Sequence, residues 1–173
     1  MADPLRENRL MAVKFVGPLT KLGLLLAALV FAFDQLTKFW ILRIINLDER
    51  DPIAVTPFMD LAMAWNRGVS YGLLETHAQE VLVLLSLVIT VALVLWLAKI
   101  RSPLQAGAIG VLIGGALGNA LDRLLHGAVA DFVLLHWGNW TWYVFNIADI
   151  AIVAGVVLLL YDGLFSGKRD GAV

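Results

Sequence analysis

Four long apolar runs constrain this chain more than any other feature. They cover about residues 20–41 (TKLGLLLAALVFAFDQLTKFWI), 80–98 (EVLVLLSLVITVALVLWLA), 104–125 (LQAGAIGVLIGGALGNALDRLL) and 144–165 (VFNIADIAIVAGVVLLLYDGLF). A helix needs about 20 predominantly apolar residues to cross the hydrocarbon of a bilayer, and each run has that length. Composition agrees: 60% of the 173 residues are hydrophobic and 16% charged, with a mean hydropathy of +0.82, whereas soluble domains carry about 25% charged residues. The expected fold is an all-α integral membrane protein with four transmembrane helices, forming one membrane-embedded domain over residues 1–173. The net charge of −1 implies no polyanionic partner, so no nucleic acid. The absence of cysteine removes disulfides, thiolate metal sites and cysteine nucleophiles.

Basic residues orient the spans. Arg6, Arg9, Lys14 and Lys21 precede the first, Lys99 and Arg101 separate the second from the third, and Lys168 and Arg169 follow the fourth. The positive-inside rule makes these segments, and both termini, cytoplasmic. The extracytoplasmic side then carries Asp48, Glu49, Asp51, Asp60, Glu75, Glu80 and Asp131. The stretch LGLLLAALVFAF resembles a secretory leader, but no A-x-A-like site follows it, so the first span is expected to stay uncleaved. Trp40, Trp65, Tyr71, Trp137, Trp140, Trp142 and Tyr143 map near the outer interface, where aromatic rings commonly anchor. In the outer loop 43–79, Pro52 and Pro57 favour short extended segments over a long helix.

An ionisable side chain in hydrocarbon costs at least about 2.5–3.5 kcal/mol and marks a functional candidate. Here these are Asp34 and Lys38 in the first span, Asp122 and Arg123 in the third and Asp149 in the fourth, accompanied by Asn119 and Asn146. Given the orientation, all fall in one layer just below the outer surface, with Asp131 at or slightly above it. Asp34 and Lys38 stand four apart, on one helix face, as an ion pair would. Asn119 and Arg123 share that spacing, and Asn146 and Asp149 stand three apart. Asp122 directly precedes Arg123, which suggests a structural ion pair or hydrogen bond. Asp131 and Asp149 have no basic neighbour within helical reach. Two neighbouring desolvated carboxylates share a proton, one acting as base on water and the other as acid on a carbonyl. Spacing alone leaves two pairings open: Asp131 with Asp149, and Asp122 with Asp149. Gly114, Gly115 and Gly118 form a small-residue patch that lets another helix approach closely. The Leu, Val, Ala and Gly surfaces below this layer, that patch included, suggest a groove for acyl chains.

Other chemistries fit less well. His126, Asp131 and His136 straddle a turn without metal-site spacing, His77 reads as a loop residue, and no zinc-type motif is present, so no metal or cofactor is expected. Ser86 has no base beside it and is expected to bond back to its own helix. A proton-coupled transporter would favour midplane acids and internal repeats. The acids here lie to one side, and the halves 1–90 and 91–173 share no motif. A non-enzymatic lipid-binding subunit would not need two unpaired carboxylates.

Four segments in order resemble the lipoprotein signal peptidase (signal peptidase II) family over roughly residues 20–165. They are FDQLTKFW, AWNRGVSYG, GGALGNALDRLLHGAVADF and FNIAD, similar to D-Q-x-x-K, N-x-G-x-x-[FYW]-[GS], G-G-x-x-G-N-x-x-D-R-x-x-x-G-x-V-x-D-F and F-N-x-A-D. The resemblance implies an aspartyl endopeptidase of the bacterial cytoplasmic membrane. It would remove signal peptides from diacylglyceryl-modified prolipoproteins, just before the lipidated cysteine. The implied catalytic pair is Asp131 and Asp149. Asp34, Lys38, Asn66, Gly68, Asn119, Asp122, Arg123 and Asn146 match motif positions that would bind substrate or support the pair. Also implied are a small extracytoplasmic β element and a short interfacial helix built from 43–79. The departure Arg67-Gly68-Val69-Ser70, where many members carry threonine and alanines, would tune the substrate cleft.

Overall fold

The computed structural model describes residues 16–68 and 78–165. Arg6, Arg9, Lys14, Val69, Ser70, Tyr71, Glu75, His77, Lys168 and Arg169 lie outside the described residues. Helix α1 (Thr20–Phe39) continues through a π-helical turn (Trp40–Ile45) into a 3-10 turn (Leu47–Glu49). Strands β1 (Ile53–Thr56) and β2 (Met59–Asn66) follow, then α2 (Ala78–Leu97), α3 (Pro103–His126), β3 (Val129–Trp137), β4 (Trp140–Thr141) and α4 (Ile147–Phe165). Four helical stretches, Thr20–Ile45, Gln79–Leu97, Pro103–His126 and Ile147–Phe165, are long and apolar enough to cross a membrane.

Helix α3 is the hub and packs against α1, α2 and α4. Its limits are written locally. Ser102 caps the start by accepting from the Gln105 N–H, and Pro103, which lacks an N–H, occupies the first turn. Gly127 ends it in the left-handed conformation (φ 66°), a region that disfavours residues with a Cβ. Small residues line its buried faces. A Cβ on Gly114 would sit 2.6 Å from the Ala27 carbonyl oxygen of α1, and one on Gly115 would sit 2.6 Å from that of Ala148 in α4. The close helix approach expected of the Gly114–Gly118 patch is therefore present, and the expectation that the patch also lines an acyl groove is corrected. Neighbouring helices cover these glycines, because close backbone approach is how helices gain contact where lipid supplies no hydrophobic drive.

The all-α expectation also needs correction, since a four-stranded antiparallel sheet in the order β1-β2-β3-β4 caps one end of the bundle. Half its strands come from the segment after α3, not from 43–79. The first four residues of β3 are all buried, so that stretch lacks the alternation that marks a half-exposed strand. Of the interfacial helix expected in 43–79, the described residues show only the Leu47–Glu49 turn.

The sheet also fixes where α4 begins. Phe145 is pinned to β3, its N–H donating to the Val133 carbonyl (3.0 Å) and its carbonyl accepting from the N–H groups of Val133 (2.8 Å) and Phe132 (3.1 Å). The helix therefore starts at Ile147 rather than near 144, and Asn146 stands at the junction of sheet and helix.

Candidate active site

The polar residues read from the sequence meet where the sheet joins the helices. Lys38 is the organising cation. Its ammonium contacts Asp34 Oδ2 at 2.8 Å and Asp122 Oδ2 at 2.8 Å, and donates to Asn119 Oδ1 at 3.1 Å. An ammonium has three protons, and these three acceptors use them all. Lys38 is 3% exposed and Asp34 0%, so each charge depends on the others for compensation. The ion pair between Asp34 and Lys38 is present as the spacing suggests. Asp122, however, pairs with Lys38 and not with its sequence neighbour Arg123.

Both supporting carboxylates hold backbone in place. Asp122 Oδ2 accepts the Ala130 N–H (3.1 Å), fixing the strand one residue before Asp131. Asp34 Oδ1 accepts the Ala148 N–H (2.9 Å), fixing the helix one residue before Asp149. Gly118 permits the second contact, since a Cβ there would lie 2.5 Å from Asp34 Oδ2. Gln35, which a search for ionisable residues passes over, sits within 3.2 Å of three acceptors: Asp34 Oδ2, Asp122 Oδ1 and the Gly118 carbonyl. The visible signal was its place beside Asp34 in FDQLTKFW.

From Lys38 the order propagates through two amides. With Asn119 Oδ1 turned toward Lys38, Asn119 Nδ2 faces Asp149 and donates to Oδ1 at 2.9 Å. Asn146 Nδ2 donates to Asn119 Oδ1 (3.1 Å) and to Asp131 Oδ1 (2.6 Å). At the start of α4, Asn146 and Asp149 form a reciprocal cap. The Asp149 N–H donates to Asn146 Oδ1 (3.0 Å), and the Asn146 N–H donates to Asp149 Oδ2 (3.2 Å). Asp131 and Asp149 are thus joined through the Asn119–Asn146 pair.

Asn66, at the end of β2, bonds the Asp131 carboxyl from the other side. Its Oδ1 accepts the Gly68 N–H at 2.9 Å, a turn that needs φ 83° at Gly68 and so favours glycine. Burial pushes the Asp131 carboxyl up to about 6, and the charge on Asp149 pushes the same way; hydrogen bonds from Asn66 and Asn146 and the charge on Lys38 pull against it. Asp131 is 2% exposed while Asp149 is half-buried. Arg123 donates to the Asn119 carbonyl (3.3 Å) and lies within electrostatic reach of Asp149, Asp131 and Asp122.

Two apolar grooves run along the helices. The larger, about 470 Å³, lies among α1, α2 and α3 and touches none of these polar side chains. The smaller, about 300 Å³, is formed by α2, α3 and α4 and meets the polar layer at Asn119 and Arg123. Other candidates find separate settings. His126 lies against the Trp65 ring (5.4 Å between centroids), His136 contacts Asp60 (3.3 Å), and Ser86 donates to the Leu82 carbonyl one turn back.

The arrangement separates two classes of carboxylate. Asp34 and Asp122 share a lysine. Asp131 and Asp149 have no lysine in contact among the described residues and are held by amides and backbone, with Arg123 within electrostatic reach. The second class is what aspartate-catalysed hydrolysis uses. Comparison with known proteins gives the family. Residues 26–165 match the family model described as Signal peptidase (SPase) II. A lipoprotein signal peptidase of Methylocella silvestris is 50% identical over 153 residues, covering 87% of this chain and 90% of the relative. One from Methylobacterium sp. strain 4-46 is 46% identical over 154 residues, covering 87% and 93%. A bacterial membrane enzyme solved in meso at 2.3 Å superposes with a TM-score of 0.73 at 30% identity, covering 86% of this chain and 91% of that one. These matches displace the transporter and lipid-binding alternatives: the chain belongs to the signal peptidase II family, the aspartic peptidases that process bacterial lipoproteins.

Proposed function

We propose that Asp131 and Asp149 are the catalytic pair, and that they cut a prolipoprotein just before its diacylglyceryl-modified cysteine. The carrying observation is that, of the clustered carboxylates, these two lack a lysine partner and are tied together by Asn119 and Asn146. Asp131, with its carboxyl raised to about 6, holds the shared proton. Asp149, half-buried and capped by backbone, is the base. Asp149 takes a proton from water, the water oxygen bonds to the scissile carbonyl carbon, and Asp131 gives its proton to the carbonyl oxygen. Collapse then breaks the C–N bond, with the proton on Asp149 passing to the leaving nitrogen and one hydroxyl of the intermediate returning its proton to Asp131 as the carboxyl product forms.

Asp34, Lys38, Asp122, Asn119 and Asn146 hold the pair in register, Asn66 and Gly68 border it from the sheet, and Arg123 faces the substrate side. The groove below Asn119 and Arg123 would take acyl chains, placing the scissile bond at carboxylate height. Such a chain contributes about 0.8 kcal/mol for each buried methylene. Membrane phospholipid surrounds the helices, no cofactor or metal takes part, and residues 1–173 act as one unit. Both termini face the cytoplasm, and the site faces the periplasmic or outer side of the bacterial inner membrane.

The test is to incubate purified enzyme with matched lipidated and unlipidated precursors, with and without a strong chelator. The expected result is cleavage of the lipidated precursor alone, unaffected by the chelator. Equal cleavage of both would refute the acyl-groove reading, and chelator-sensitive activity would refute a carboxylate-only mechanism.

A further inference from the structure

The hairpin of β3 and β4 has no part in the chemistry above, yet it is the most exposed aromatic feature of the described residues. Trp137 is 79% exposed, Trp140 56%, Trp142 53% and Tyr143 85%. Three of the chain's six tryptophans fall in these few residues, and no Asp, Glu, Lys or Arg occurs between Asp131 and Asp149. The strands pair Trp137 with Trp140 across a turn whose first residue, Gly138, has φ 58°. Cross-strand partners share a face. Three of these rings form one cluster, with Trp140 and Trp142 at 5.4 Å and Trp142 and Tyr143 at 6.3 Å. Soluble proteins seldom expose such a patch without a partner for it.

We propose that this hairpin inserts into the headgroup layer of the leaflet adjoining the sheet, and thereby sets the height of Asp131 relative to membrane-embedded substrate. Three observations select a lipid surface. Indole and phenol rings are the side chains that favour the membrane interface, and formal charge is absent from the whole segment. The patch also runs into the lipid-facing stripe of α4, since Tyr143 stands shortly before Ile150, Val153, Val157, Leu160 and Leu164, all exposed at helical spacing. Finally, β3 is one strand from Asp131 to Trp137, about 20 Å at the usual rise. Its far end lies in lipid and its near end carries the carboxyl, so the hairpin acts as a depth stop. The link to catalysis rests on the proposed role of Asp131; insertion itself does not.

The chain has no cysteine, so Asn139→Cys at the hairpin tip takes a single environment-sensitive fluorophore. In phosphatidylethanolamine–phosphatidylglycerol vesicles, the label should emit to the blue of its position in water. Lipids spin-labelled near the ester carbonyls should quench it more than those labelled near the chain ends, and aqueous iodide should quench it little. Water-like emission with full iodide quenching would overturn the proposal. So would a buried label that no spin-labelled lipid quenches, which would mean the patch covers a second copy or another protein. A second arm uses Trp137→Ser with Trp140→Ser. The expectation is a loss of about tenfold in kcat/KM on vesicle-embedded precursor, about 1.4 kcal/mol, arising in KM, with kcat on detergent-dispersed lipopeptide unchanged. An unchanged KM in vesicles would remove the depth-stop role even if the label is inserted. If the wild-type Asp131 proved non-catalytic, the fluorescence result would still stand or fall alone.

Discussion

At Lys38, one ammonium governs the setting of three carboxylates. It pairs with both Asp34 and Asp122 and, by holding Asn119 Oδ1, orients the amide that meets Asp149. Lys38→Met should leave two buried carboxylates facing each other, and breaking a buried pair costs about 3–5 kcal/mol. The measurement is thermal unfolding in detergent. The double variant Lys38→Met with Asp122→Asn should recover part of the loss, whereas equal melting of the single and double variants would mean the charges are not coupled. Asp131 works in the opposite sense. Its folded carboxyl titrates at about 6, above the ordinary 3.8. The folded state therefore binds more protons than the unfolded state between those values, and stability falls as pH rises through that window. Asp131→Asn removes this dependence. Its stability relative to wild type should rise between pH 4 and pH 7 by up to roughly 3 kcal/mol, because each tenfold change in proton affinity is worth about 1.4 kcal/mol. A pH-independent difference would show that Asp131 is not desolvated.

The elements explain how residues so far apart in sequence arrive together. Helix α3 carries small residues on the faces it turns to α1 and α4, and one of these close approaches lies beside the site. Gly118→Ala would put a Cβ 2.5 Å from Asp34 Oδ2, in a carboxylate already fixed by Lys38 and Ala148. Overpacking of this kind costs about 1–3 kcal/mol. The expected phenotype is a modest fall in melting temperature and a larger fall in turnover per folded molecule, because Asp34 can no longer hold the start of α4. Normal turnover would mean that the Asp34–Ala148 contact is dispensable. Strand β3 and the α4 cap complete the positioning, one by pairing with Phe145 and the other through Asn146.

Across the whole molecule, what the sequence disclosed and what it concealed have separate physical causes. Spans were legible because a bilayer demands about 20 apolar residues in one run. The polar cluster was legible because ionisable groups are expensive there and few, so Asp34, Lys38, Asp122 and Asp149 stood out. Hidden were the features that depend on tertiary pairing. β3 is buried at its start and carries no alternation, so half the sheet went unseen. Gln35 is neutral, and its place beside Asp34 does not reveal its other two acceptors, Asp122 and the Gly118 carbonyl, on α3. Asp122 sits beside Arg123 in sequence but meets Lys38 from another helix in space. The Gly114–Gly118 patch supported both a helix contact and a lipid groove, because an apolar small-residue face reads the same whether lipid or a backbone covers it; the structure holds the helix contact.

The proposed hydrolysis by the Asp131–Asp149 pair is tested most directly by cleavage of a lipidated precursor with Asp131→Asn and with Asp149→Asn. Each variant is scored per folded molecule, with melting in detergent verifying the fold. Loss of one member of a catalytic unit costs several orders of magnitude, so each variant should retain less than about a thousandth of wild-type turnover while melting as a folded protein. Retention of more than about a tenth of wild-type turnover by both variants would contradict the account.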